Sequence, residues 1–213
     1  MADPWVVGSD QHDVKRLDEL RAVGALFGPP PPPGPSGALP LDDAALGHRL
    51  LRRVNGRSAG LRRPVGSLRE AADALGPGAL RREAMLVALA GIARDRPETL
   101  VEPLARAKVC ELIALARGDL GGLDAHFTAG LVSATEPLFA APLTDIVACL
   151  PLLAPVRDAV LQHAGPMGAV LGAVVTGDGE ALDHLVPDAS VLPAVYDRAA
   201  TFAEEASREL PRT

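Results

Sequence analysis

The sequence has few aromatic residues: they make up 3% of its 213 residues. Any core must therefore be built from Leu, Val and Ala, and close helix-on-helix packing by small residues suits that composition. Cysteine is nearly absent too. Cys110 and Cys149 both sit in apolar helical patterns, which excludes a disulfide framework and predicts buried free thiols. Lysine occurs only at Lys15 and Lys108, so Arg carries the positive charge, a bias typical of GC-rich bacterial coding. No alternating strand pattern follows residue 40, and no repeat of fixed period is present. The most apolar run, Ala169 to Val175, is far shorter than the ~20 residues of a membrane span. The opening Met-Ala-Asp-Pro-Trp lacks a basic segment leading into an apolar run, so no secretory signal is expected. The expected compartment is the bacterial cytoplasm, with no membrane partner.

What is present is 48% hydrophobic residues and a charge of −6 that is unevenly spread. From His48 to Arg82, nine arginines stand against Glu70 and Asp73, a local balance of +7. From Asp178 to Glu209, eight acids stand against Arg198 and Arg208, a balance of −6. Two solvated faces of opposite sign are one reading. A basic surface for a phosphate-bearing ligand or nucleic acid is the other. The basic stretch has no aromatic stacking partners, which weighs against single-stranded nucleic acid.

Proline and glycine punctuate the chain. Residues 1–27 hold a segment with Val14, Leu17, Leu20 and Val23 at helical spacing. Gly28 to Gly34 contains five consecutive prolines, so residues 28–40 read as a stiff spacer, and residues 41–213 as a helical domain. Asp42 or Asp43 can cap a first helix with Leu46, Leu50 and Val54 on one face, ended by Asn55-Gly56. Ser67-Leu-Arg-Glu70 is a capping-box pattern for a helix that stops at Gly76-Pro77-Gly78. The next helix is expected from Ala79 to about Ala93. Another is opened by Pro97 and continues to Gly118. Thr144 and Asp188 are expected N-caps, and a last helix should run from about Ser190 to Glu209. Gly168 and Gly172, four apart, predict close packing of another segment.

Six stretches carry a resemblance to a known family. They are LLRRVNGRSAGLRR (Leu50–Arg63), SLREAADALG (Ser67–Gly76), LRREAMLVALAG (Leu80–Gly91), RPETLVEPLARAKVCELIA (Arg96–Ala114), FTAGLVSATEPLF (Phe127–Phe139) and PLTDIVACLPLLAPVRDAVLQHAGPMGAVL (Pro142–Leu171). In order and spacing the region Asp42 to Leu182 resembles the HDOD domains of bacterial signalling proteins, in particular those that pair HDOD with an EAL domain. LDELRAVGALFGPP (Leu17–Pro30) resembles the end of an EAL domain, but carries neither its Glu-Ala-Leu motif nor its acidic metal ligands. The resemblance implies an all-α, HD-related multi-helix bundle with an irregular Pro-rich N-terminal extension. It also implies a role in signal transduction, often beside cyclic-di-GMP enzymes.

Catalytic HD relatives hold a divalent cation through an adjacent His-Asp pair, because imidazole and carboxylate together bind a metal that activates water. The matching positions here are Ser133 and Ala134, so the resemblance implies no metal, no cofactor and no catalysis. His12-Asp13 and Asp183-His184 lie elsewhere and read as surface helix ends. His48, His126 and His163 lie on separate predicted helices with no ligand spacing. Neither Ser58 nor Ser133 has a nucleophile-elbow context. The expected function is a non-catalytic regulatory domain that binds a protein partner. Its candidate contacts are Arg57, Arg62 and Arg63, with Arg52 and Arg53 behind them, because guanidinium forks suit carboxylates and phosphates. A small-molecule or nucleotide second-messenger sensor, a residual metal-dependent phosphohydrolase and a nucleic-acid binder are the alternatives.

Overall fold

The computed structural model describes residues 44–56, 61–150 and 152–210. The expected extension 1–27, spacer 28–40, caps Asp42 and Asp43, and residues His12, Asp13, Arg57 and Ser58 lie outside the described residues. Within them are eleven α-helices, two short 3₁₀ turns and no strand, an all-α fold. The helices are α1 (Ala44–Val54), α2 (Leu68–Leu75), α3 (Pro77–Ile92), α4 (Val101–Ala116), α5 (Leu123–Val132) and α6 (Glu136–Phe139). They continue as α7 (Leu143–Cys149), α8 (Ala154–Gln162), α9 (Gly165–Thr176), α10 (Gly179–Leu185) and α11 (Leu192–Glu209). The 3₁₀ turns, Pro97–Leu100 and Ala189–Val191, lead directly into α4 and α11.

Local chemistry explains most of these limits. At α2 the Glu70 amide donates to Ser67 Oγ at 3.2 Å, and Glu70 Oε2 accepts from the Gly66 amide at 2.8 Å. This is the expected capping box, with the return bond one residue further out. Helix α3 begins at Pro77, two residues earlier than expected, because a proline at N1 gives up no intrahelical bond and Gly76 takes the turn at φ 84°. Asp188 does cap, with its Oδ1 accepting from the Ser190 amide at 2.9 Å, but it caps the 3₁₀ turn ahead of α11. Thr144 does not cap: it lies inside α7. The open Leu143 amide there is taken by Glu136 Oε1 at 2.7 Å, across the turn from α6.

The apolar side chains form two cores that share α3. The smaller joins Leu50 and Val54 of α1 and Ala71 of α2 to Leu80, Ala84 and Val87 of α3. The larger takes Leu86, Leu89, Ala90 and Ala93 from the opposite side of α3 and adds Leu104, Ile113, Phe127, Phe139, Ile146 and Leu171. The first set recurs at i, i+4 and i+7 and the second at i, i+3, i+4 and i+7, so one helix buries two stripes. Each fully buried large side chain contributes about 1.5–3 kcal/mol relative to exposure.

Helices α4, α5 and α11 make the centre of the larger core. The closest approach is at Gly130, where a Cβ would stand 2.7 Å from the Arg106 carbonyl oxygen. The Phe127 and Phe202 rings meet edge-to-face with centroids 6.1 Å apart. Lys108 Nζ lies 5.2 Å over the Phe202 ring, and the Arg82 guanidinium 5.4 Å over Phe127. The close packing expected at Gly168 and Gly172 comes from His163, at the end of α8.

The stretch Ala154–Thr176 is 23 residues long and apolar enough by composition to cross a membrane. It is not one helix. His163 at φ 51° ends α8, extended Ala164 follows, and α9 packs against α8. Neither piece reaches the ~20 residues a span requires.

Candidate functional site

Among the described residues of the basic loop, 61–65, Asn55 supplies a side-chain anchor. Asn55, just after α1, donates from Nδ2 to the Val65 carbonyl at 2.9 Å and accepts at Oδ1 from the Val65 amide at 2.7 Å. This bidentate bond mimics a strand pair and fixes the 61–65 segment beside α2. Leu61 and Val65 pack on the smaller core. Arg62 and Arg63 are exposed, and neither makes an ion pair with another described residue. Between this segment and α2 lies an open cleft of about 800 Å³, lined by Leu61 to Val65 and by Glu70, Asp73, Ala74 and Leu75.

The candidate arginines separate into two groups. Arg52 points outward and is exposed, as are Arg62 and Arg63. Arg53 is 5% exposed, and its Nε donates to Glu83 Oε2 at 2.8 Å. Its Nη1 also stands 3.9 Å from Glu209 Oε2. Arg53 therefore cannot serve as a partner contact, which corrects the expectation from sequence. The reason is helical phase. Arg49 and Arg53, four apart, share the face of α1 turned toward α3, where Arg49 Nη2 donates to the Val87 carbonyl at 2.7 Å. Arg57 lies outside the described residues.

The positions matched to the metal-binding pair fall at the end of α5. Ser133 is the C-cap; its Oγ donates to the Gly130 carbonyl at 2.8 Å. The Arg106 Nη1 donates to the Ser133 carbonyl at 3.1 Å and reaches Ser133 Oγ at 3.4 Å, while Nη2 pairs with Glu102. A guanidinium thus sits against Ser133, and Ala134 is buried beside it. Among the described residues, no three His, Cys, Asp or Glu side chains converge as a metal site. His48, His163, Asp183 and His184 are all exposed.

Sequence reasoning missed the buried ionisable groups. Glu83 and Glu111 are both buried. Arg82 Nη1 reaches Glu111 Oε1 at 3.0 Å and Asp124 Oδ1 at 3.4 Å, and Lys108 also pairs with Glu111. These bonds tie α3, α4 and α5 together. His126 is 3% exposed, with Nε2 standing 3.3 Å from Asp119 Oδ2, while Nδ1 has no hydrogen-bond partner among the described residues. Asp119 Oδ1 also accepts from the Gly122 amide at 3.0 Å, so the pair fastens the α4–α5 turn. Burial pulls the imidazole below its ordinary value, and the nearby Asp119 carboxylate opposes this only in part. Burial pushes the Cys110 thiol up to about 12, which makes it a poor nucleophile; Cys149 is half-buried, and both are free. An Arg-Arg-Glu run opening an otherwise apolar helix, at Arg81 to Glu83, was the one available signal of the buried network.

The chain matches no protein-family model and no solved structure. It is similar to a curated protein of Vibrio cholerae serotype O1, the cyclic di-GMP phosphodiesterase CdgJ, with 31% identity over 130 residues. That alignment takes in 61% of this chain and 30% of the relative, so the chain spans less than a third of the protein it resembles.

Proposed function

We propose that this chain is a non-catalytic, HDOD-type regulatory domain of bacterial cyclic-di-GMP-linked signalling, which acts in the cytoplasm by binding a protein partner through its basic loop. The observation that carries this reading is the Asn55 clamp on Val65. A loop held at both its amide and its carbonyl is preorganised, so less ordering cost falls on binding. Arg62 and Arg63 project from it with no ionic partner among the described residues, as contact residues for a carboxylate-bearing surface. Arg52 extends the same charge along α1. The similarity to part of a cyclic di-GMP phosphodiesterase supports the signalling context. The guanidinium of Arg106 against Ser133 supports the non-catalytic side, because a fixed positive charge there disfavours a divalent cation.

The test is affinity capture from the native host with the wild-type chain and with R62E/R63E. Both positions are exposed, so the variant should retain its unfolding midpoint. Loss of a stoichiometric partner is the expected result, and equal recovery by both proteins would remove the loop from the proposal.

The cleft volume also falls within the range of small-molecule sites, which favours a nucleotide second messenger as the other reading. Calorimetry with cyclic di-GMP separates the two: heat that disappears in R62E/R63E would support the sensor. Metal analysis with a phosphodiester assay tests the residual hydrolase, for which stoichiometric metal with turnover is the required outcome.

A further inference from the structure

The cleft beside the basic loop has walls of opposite charge. Arg62 and Arg63 stand on the loop wall. On the α2 wall, Asp73 is exposed and makes no hydrogen bond or ion pair with another described residue. Glu70 uses Oε2 on the Gly66 amide, which leaves its negative charge at the same wall. No ion pair closes the opening between these two sets, so both signs face the same space. Among the described residues the remaining lining is aliphatic, from Leu61, Pro64, Val65, Ala74 and Leu75, with no aromatic ring.

This arrangement discriminates among ligand classes. A nucleotide diester brings only negative charge: it gains from the arginines but meets two carboxylates across the cleft, and finds among the described lining residues no ring on which a base could stack. A purely basic ligand meets the reverse. A peptide segment can satisfy both walls and fill the aliphatic floor.

We infer that the cleft binds a short linear segment of a partner protein in which an apolar side chain lies between an acidic and a basic residue. The acid faces Arg62 and Arg63, the base faces Asp73, and the apolar residue rests on Leu61, Val65 and Leu75. The inference rests on the protein-binding reading of the loop. It adds the chemistry of the bound segment.

The test pans a phage-displayed library of random dodecapeptides against the full chain as wild type, R62E/R63E and D73K. The wild type should enrich peptides with both charges flanking an apolar residue. A synthetic copy of the enriched peptide should lose roughly five- to tenfold in affinity for either variant. The D73K protein should instead enrich acidic peptides with no basic requirement. Two results overturn the inference: enrichment independent of charge, or an enriched peptide that binds D73K as tightly as wild type. If R62E/R63E abolishes capture of the native partner while D73K preserves or raises it, the protein-binding reading stands and the mixed-charge segment falls. If neither variant changes capture, both fall.

Discussion

Arg53 Nε and Glu83 Oε2 meet at 2.8 Å across the seam between α1 and α3, with side chains 5% and 6% exposed. A buried ion pair is costly to break singly, since the survivor is left charged and desolvated. R53M or E83L alone should destabilise the chain by about 3–5 kcal/mol, whereas R53M/E83L together should cost far less. Urea unfolding of the three variants checks this. A double loss equal to the sum of the two single losses would mean that the pair is not coupled.

Stability should fall on mild acidification because of His126. Its folded value lies below the 6.5 of the free imidazole, so the unfolded chain takes the proton first. The sign follows from linkage: the stabilising difference is complete above about pH 6.5 and is lost as pH drops beneath it. The carboxylates contribute their own acid-side slope. The measurement is therefore the difference between wild type and H126Q in unfolding free energy from pH 7.5 to 5, and the variant should show the flatter profile.

Gly130 sets the distance between α4 and α5. G130A places a methyl 2.7 Å from the Arg106 carbonyl oxygen and 2.8 Å from the Ala107 Cα. Backbone cannot yield as a side-chain tip can, so the loss should be about 1–3 kcal/mol, read as a lowered thermal midpoint. A neutral substitution would mean that the two helices part more easily than their packing implies.

Thiol labelling should be ordered. Cys110 is buried and its thiol is held near 12, whereas Cys149 is half-buried. Iodoacetamide at pH 8 should modify Cys149 in the folded protein and reach Cys110 only on unfolding. Mass spectrometry of tryptic peptides at successive times resolves the order.

Removing the clamp should loosen the loop without unfolding the chain. N55A loses two exposed hydrogen bonds, a cost of about 1–2 kcal/mol. The Val65 amide should then exchange markedly faster, while amides of α4 and α5 keep their protection.

Where turns carry the information, the helices were legible in the residues. Ser67 with Glu70, Pro77, Pro97, Pro155 and Pro166 each stand at a helix start, because their side chains or missing N–H act within one turn of backbone. Thr144 misled because its competitor, Glu136, arrives from the preceding helix. The arginine loop was also legible, as a basic run beside Asn-Gly. The burial of Arg53 was not, since Arg52 and Arg53 differ only in helical phase, and α3 supplies the carboxylate that draws one of them inward. Asp73, two residues inside an apolar-looking helix, likewise gains meaning only when the loop stands opposite it.

The double-sided burial of α3 limits how the polypeptide can be cut. A fragment beginning at Gly76 would keep the larger core but leave Leu80, Ala84 and Val87 facing water, together with Glu83 deprived of the Arg53 guanidinium. Truncation at that glycine, which looks like a natural joint, should therefore yield insoluble material, and an expressible piece has to start ahead of α1.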